Sequence, residues 1–331
     1  MAAVGGYWLA GNVFGGKSTS SENTNRAAFA PPVESKNTFN ASRPNPFAPW
    51  KTYEEKLPGD VYEPSHNSAS GSVASLNMGA GTENPNWIKN SVPFSSIGNG
   101  PLIAIVIDDM GVDRGRSKKI WELPPPLTLS FLTYADDLTP QTAEARKNGH
   151  ELMLHVSMEP ESKTIDAGPN VLISGMEESE LRRLAQWGMD RFDGYVGINN
   201  HMGSRFTEDR KGMGIVLREV KKRGLMFLDS RTSAKTVGPM VASELGVPHL
   251  ERNVFLDNKP SVDSINKQLA EVEALAIRRG FAIAIGHPRD GTIEALAKWL
   301  PLAKSRGFRV APLSAILKNT AGIGKINGIK G

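Results

Sequence analysis

The chain contains no cysteine. That excludes disulfides, thiolate metal sites and a cysteine nucleophile, and leaves histidine and carboxylates as ligands for any metal. Absence of cysteine also fits an exported protein. Charge of one sign is scarce. The 331 residues carry a net charge of +4, with the basic residues scattered. No basic stripe interleaved with aromatics is present, so nucleic acid is not an expected partner. There is no Gly-x-Ser-x-Gly nucleophile elbow, and no Gly-rich phosphate loop follows the first strand-like run. The serine-hydrolase template and nucleotide chemistry are thereby set aside. Long apolar runs are missing too. The stretch from Ala2 to Phe14 is apolar, but a spanning helix needs about 20 such residues. No basic residues precede it, as they would in a signal peptide. Residues 1–14 are therefore expected to be the remnant of an N-terminal anchor or an apolar tail.

What the chain does have falls into two textures. Residues 15–99 are rich in Ser, Asn, Pro, Gly and Thr without sustained apolar periodicity. This is the composition of a disordered linker. Within it, Trp50-Lys51-Thr52-Tyr53 and Asn86-Trp87-Ile88 are candidates to dock on the folded part. A long tether behind an apolar N-terminus suggests a domain held off a membrane. Residues 100–318 alternate apolar strand-like runs with helix-like stretches, and residues 319–331 read as a loose, Gly- and Lys-rich tail.

Strands are expected at 102–107, 127–134, 151–156, 195–198, 225–228, 247–250, 281–285 and 308–311. Helices are expected at 139–146, 177–191, 209–223, 239–245, 261–279 and 293–305, several of them closed by glycine. Strands that alternate with helices argue for parallel βαβ units. Seven or eight such units in about 220 residues match a deformed (β/α) barrel. A doubly wound open α/β sheet is the alternative.

The first strand, Leu102-Ile103-Ala104-Ile105-Val106-Ile107, is apolar with four β-branched residues and runs into Asp108 and Asp109. Such a run reads as a strand buried on both faces. The strand ends that follow carry further functional residue types. The third runs into His155 and Glu159. The fourth runs into Asn199-Asn200-His201. The fifth ends at Asp229-Ser230-Arg231. Asn253 to Asn258 follows the sixth, and Gly286-His287-Pro288-Arg289 ends the seventh. In a parallel barrel these ends share one face, where the chemistry of such folds is placed. Structural roles also fit individual members: Asp108 and Asp109 as turn caps, His155 and His287 as strand histidines bonded to carbonyls, Asp229 as a turn residue or partner of Arg231. His150 is expected to be structural, and His66 and His249 are given no role.

The chemistry these residues suit is metal-assisted hydrolysis. One carboxylate and two imidazoles can hold a divalent ion, with zinc the first choice, while leaving positions for water and substrate. A second carboxylate can take a proton, and a histidine across the pocket can give one. Adjacent aspartates would divide these tasks by pointing in different directions.

Four motifs, in order, then carry a family resemblance: Ile105-Val106-Ile107-Asp108-Asp109-Met110-Gly111, Leu154-His155-Val156-Ser157-Met158-Glu159-Pro160, Asn199-Asn200-His201-Met202-Gly203-Ser204 and Ile285-Gly286-His287-Pro288. Together they resemble the divergent polysaccharide deacetylase family, which is similar to the NodB-type carbohydrate esterases. The resemblance implies a deformed β/α barrel with a divalent metal at the strand C-termini. It implies Asp108 as base, Asp109 as metal ligand and His287 as acid. It implies His155 as a second ligand. The NodB-type pattern has a further histidine where this chain has Glu159, and His201 is the replacement expected for it. Glu159, Asn200, Asp229 and Arg231 are then expected to bind substrate or support the site. The implied substrate is a polysaccharide or peptidoglycan, and the implied location is the periplasm or cell envelope, with possible attachment to the inner membrane. The Arg-Pro-Pro-Tyr-type loop of NodB-type members is absent. That absence and Glu159 motivate the alternative of a non-catalytic glycan-binding or scaffold protein on the same fold. A weaker third reading is hydrolysis of an amide or phosphoester, with Arg205, Arg231 and Arg289 holding an anionic substrate.

Overall fold

The first strand sorts the molecule into an inside and an outside. Side chains alternate along a strand, and Leu102, Ala104 and Val106 join one buried cluster while Ile103, Ile105 and Ile107 join another. The first cluster is the interior of a barrel; the second is the layer between barrel and helices.

The computed structural model describes residues 84–95 and 98–327. Its elements in chain order are α1 (Asn86–Lys89), β1 (Leu102–Met110), α2 (Arg114–Trp121), β2 (Thr128–Leu132), α3 (Leu138–Lys147), β3 (Glu151–Met158), α4 (Glu178–Met189), β4 (Gly197–Met202), α5 (Arg210–Lys222) and β5 (Met226–Asp229). There follow α6 (Gly238–Leu245), β6 (His249–Glu251), β7 (Val254–Phe255), α7 (Val262–Arg279), β8 (Phe281–Gly286), α8 (Asp290–Ala303), β9 (Arg309–Val310) and α9 (Leu313–Asn327). All strand pairs are parallel, in the order β6-β5-β4-β3-β2-β1-β8-β7, with β9 beside the start of β1.

The two ends of that order are joined by two residues. Arg252 donates its backbone N–H to Asp229 O of β5, and Asn253 donates its own to Ile283 O of β8. The chain thus steps from one edge of the sheet to the other, and the pairing path returns on itself. This is a deformed β/α barrel. The open doubly wound alternative does not describe it.

The bottom of the barrel is plugged. Leu313, Ile316 and Leu317 of α9 pack into the interior cluster. Buried Glu151 receives the first turn of α9: Ser314 donates both its backbone N–H, at 3.0 Å, and its hydroxyl to the carboxylate. A carboxylate is favoured there by the unpaired N–H groups of a helix start.

Several boundaries differ from the sequence reading. β1 runs on to Met110 and β4 to Met202, so both aspartates and the Asn-Asn-His run lie on strands rather than after them. α2 has no counterpart among the expected helices, although Asp113 caps it by accepting from Arg116 N. Its apolar residues are too few to give a clear period. Within the tail expected to be loose, the backbone is helical as far as Asn327. The end of the expected linker docks, as Asn86-Trp87-Ile88 suggested. Trp87 is 2% exposed and belongs to the barrel-bottom cluster, and its backbone N–H donates to Gly224 O. The apolar segment 1–14, the rest of the linker to 83, and residues 328–331 lie outside the described residues. No helix among the described residues is long and apolar enough to cross a membrane.

Because Trp87 fills a cavity that α9 and the strands leave open, Trp87→Ala is expected to cost about 3–5 kcal/mol. Urea unfolding of the full chain measures this, and an unchanged midpoint would show that the segment only rests on the surface.

Candidate metal centre and active site

Period two places Asp108 inside the barrel and would turn Asp109 outward. The structure does not obey this at Asp109. The β1–β2 register shifts between Ile107 and Met110, the mark of a bulge, and Asp109 sits at φ 56°. Bulges re-aim a side chain at the edge of a site, and aspartate tolerates left-handed backbone better than most residues. The turn is held by Gly111, whose N–H donates to Ser117 Oγ at 3.0 Å and whose carbonyl accepts from Gln141 Nε2 at 3.0 Å. The expectation that the two acids point in different directions is therefore corrected. Both approach one histidine nitrogen: His155 Nε2 lies 3.7 Å from Asp108 Oδ2 and 3.4 Å from Asp109 Oδ1.

His155 on β3 pairs in register with Asn199 on β4. The Asn199 amide is fully engaged. Its Nδ2 donates to both oxygens of Asp108, at 2.8 and 2.9 Å, and to Ser230 Oγ at 3.1 Å. Its Oδ1 accepts from Ser130 Oγ at 2.6 Å and meets His155 Nδ1 at 2.8 Å. Since Nδ2 faces a carboxylate, Oδ1 must face the imidazole, and Nδ1 of His155 is the protonated nitrogen. Its Nε2 is then the nitrogen that faces Asp109, able to donate to it when the ring is charged or to ligate a metal when it is neutral.

His201, two residues beyond Asn199 on the same strand, completes a triangle. Its Nδ1 lies 3.0 Å from Asp109 Oδ1 and 3.2 Å from His155 Nε2. The three donor atoms all fall within 4.8 Å of one another. Asp109 Oδ1 is buried and makes no hydrogen bond. Ligands held at about 2.1 Å by a tetrahedral ion are separated by about 3.4 Å. The two imidazoles and the orphaned carboxylate oxygen therefore fit a first-row divalent ion such as zinc.

The two aspartates are driven apart electrostatically. Burial pushes the Asp108 carboxyl up, and the neighbouring His155 and His287 and the Asn199 hydrogen bond reverse only part of this. Burial also opposes ionisation of Asp109, but His201 and His155 outweigh it and hold that carboxyl well below the usual range. Two carboxylates with divergent proton affinity are suited to two tasks.

His287 follows β8 and is buried. Its Nδ1 lies 2.9 Å from Asp257 Oδ1, and its backbone N–H donates to Asp257 Oδ2 at 2.7 Å. Thr292 Oγ1 donates to the same oxygen at 2.7 Å. Asp257 stays ionised because His287 and Arg289 overcome its burial. The charge of His287 reaches both Asp108 and Asp109.

The remaining candidates are placed elsewhere. Asn200 braces the strand ends: its Oδ1 accepts from Ser230 N, and its Nδ2 donates to Met202 O and Thr232 Oγ1. Glu159 is not among the three clustered donors. It accepts from Ser174 N at 2.8 Å and pairs with Arg205 at 3.4 Å. Asp229 accepts from Thr236 Oγ1 and Arg231 N, on the outer side of β5, where period two puts it. Arg231 pairs with Glu251 at 3.3 Å. His150 and His249 are buried and bonded to backbone, and His66 lies outside the described residues. Sequence reasoning quoted Asn199 and Asp257 within motifs but gave neither a role. The available signal for Asn199 was its two-residue spacing from His201, once both are seen to lie on a strand.

Asn199→Ala would leave Asp108 without its amide partner and free the His155 ring to turn. A loss of about 10- to 100-fold in zinc affinity is expected, measured by competition with a chromogenic chelator; unchanged affinity would remove Asn199 from this role.

Comparison with known proteins supplies the context. A family model described as divergent polysaccharide deacetylase matches residues 105–317. An uncharacterized protein of Haemophilus influenzae is 33% identical over 196 residues, covering 59% of this chain and 69% of that protein. The uncharacterized protein YibQ of Escherichia coli K12 is 34% identical over 194 residues, covering 59% of this chain and 60% of its own length. The crystal structure of an uncharacterized protein from Agrobacterium tumefaciens C58 superimposes with a TM-score of 0.68 at 30% identity, over 70% of this chain and 95% of that one. The chain belongs to the divergent polysaccharide deacetylase family.

Proposed function

We propose that this protein is a metal-dependent hydrolase that removes acetyl groups from a polysaccharide or peptidoglycan of the bacterial envelope. The observation that carries the reading is the triangle of Asp109, His155 and His201, with Asp108 against one edge and His287 within electrostatic reach. Asp109, His155 and His201 would hold the ion, with zinc favoured by two imidazoles and one carboxylate. When bound, such an ion polarises an acyl carbonyl and lowers the pKa of water toward neutrality.

The chain's own residues supply the proton transfers. Asp108, fixed by the Asn199 amide and raised in proton affinity by burial, accepts a proton from the attacking water at a carboxylate oxygen. His287, oriented through Nδ1 by Asp257, gives the proton on Nε2 to the departing nitrogen or oxygen. The acyl C–N or C–O bond breaks, a water oxygen takes its place on the carbonyl carbon, and acetate leaves. The envelope location and inner-membrane attachment are part of the same proposal. They are supported by the apolar residues 2–14, the long polar tether and the absence of cysteine.

The test uses the full chain loaded with zinc, with acetate release measured from N-acetylated glycan and from peptidoglycan. Asp108→Asn is expected to lower kcat by about 100-fold or more while zinc stays bound. His201→Ala is expected to lose the zinc, and chelation is expected to abolish turnover reversibly. Failure to bind any divalent ion would overturn the reading. Glycan binding that survives Asp108→Asn, with no turnover in the unaltered chain, would favour the scaffold alternative.

A further inference from the structure

Tyr134 lies two residues beyond β2, on the face of the barrel that carries the site, and it is held unusually firmly. The side chain of Arg191 donates to the carbonyls on either side of it, Thr133 O at 2.8 Å and Ala135 O at 3.3 Å. Thr133 N–H donates to the carbonyl of His155, a proposed ligand. The ring is pinned by the long loop that follows β3. A Cβ added at Gly168 would stand 2.6 Å from Tyr134 Cε1 and 2.9 Å from Cζ, and Gly168 has φ +83°. Only glycine permits both the conformation and the approach. Yet the hydroxyl of this half-buried residue makes no hydrogen bond with any described residue. Burial is the main cause that raises its pKa, and the ring lies within electrostatic reach of Asp109. At neutral pH the phenol is protonated, so the group is a donor with no acceptor among the described residues.

We propose that Tyr134 is a substrate-positioning residue whose hydroxyl donates a hydrogen bond to a neutral carbonyl oxygen of the acetylated sugar. This rests on the deacetylase reading. The glycine at 168 would then be a device for holding the ring in place.

The experiment uses the zinc-loaded full chain and an N-acetylglucosamine pentamer as probe. In Tyr134→Phe, which keeps the ring, kcat/KM for acetate release is expected to fall about 3- to 10-fold, chiefly through KM, the size of one neutral hydrogen bond. Zinc content and Tm should be unchanged. Pentamer binding, measured by calorimetry in the Asp108→Asn background, should weaken by a similar factor. Gly168→Ala keeps the hydroxyl but displaces the ring, and should weaken binding likewise. Unchanged kcat/KM and binding in Tyr134→Phe would overturn the proposal. So would lost zinc or a lowered Tm in that variant, which would mark Tyr134 as a support of the fold, and so would wild-type binding by Gly168→Ala. If the unaltered chain releases no acetate, the deacetylase reading falls, and the calorimetric comparison decides Tyr134 alone. If the Asp108→Asn chain does not bind the pentamer, the positioning role falls as well.

Discussion

The site depends on one side-chain amide. Much of the barrel interior is apolar, and an ionisable group buried there without partners would cost several kcal/mol or change its protonation. Asn199 makes Asp108 and His155 tolerable side by side because every hydrogen-bonding position of its amide is used: two donors toward Asp108 and Ser230, one acceptor toward His155 and Ser130. A satisfied polar network in a low-dielectric interior is rigid, and its members orient one another. Here the consequence is directional. The carboxylate settles which end of the amide is which, and the amide settles which nitrogen of His155 carries the proton. What remains is Nε2, facing Asp109.

The second constraint is backbone. An unbroken strand cannot aim two consecutive side chains at the same partner, so adjacent aspartates on β1 would sit on opposite faces. The bulge at 107–110, with Asp109 at φ 56°, folds the second acid back toward the first. Their environments then differ enough to separate their tasks. Burial between strands favours the protonated form of Asp108, against a smaller opposing pull from the neighbouring histidines and the Asn199 amide, while Asp109 faces two imidazoles, which favour its charge. Backbone strain at one residue thus becomes a chemical distinction between two identical side chains.

The parallel barrel was legible in the sequence because its signals are local. Runs of β-branched residues, glycine at helix ends and acids or histidines after apolar stretches each follow from short-range chemistry. Asp108, Asp109, His155, His201 and His287 could be nominated on that basis. Which of the strand-end residues meet was harder to read, because that depends on inward or outward facing. Asp229 ends β5 as Asp108 ends the regular part of β1, yet it faces the helices and locks Thr236 and Arg231. The apolar signal of β4 ends at Ile198 although the strand runs to Met202, so the period-two relation between Asn199 and His201 does not show in the sequence pattern. Asp257 carries no such local signal, because its partnership with His287 forms across the β7–β8 pair with α7 between them in the chain. Trp87 stands out within a stretch of linker composition as a residue able to dock; where it docks depends on a hole that only the assembled barrel creates.

The position four residues after His155 shows how fold and site are coupled. Glu159 lies just past the end of β3, where its backbone N–H already bonds Leu172 O and its side chain holds Ser174 N. It braces the loop that carries Gly168, and Arg205 balances its charge. The third donor comes instead from the neighbouring strand, at His201. Because Asn199 and His201 are two apart on β4, the register that pairs His155 with Asn199 also pairs Ser157 with His201. The orienting amide and the third donor therefore arrive together. A slip of β4 by one residue would turn both outward at once, and with them would go the partner of Asp108. The geometry of the site is in this sense a statement of the β3–β4 register, and no rearrangement confined to a loop could produce it.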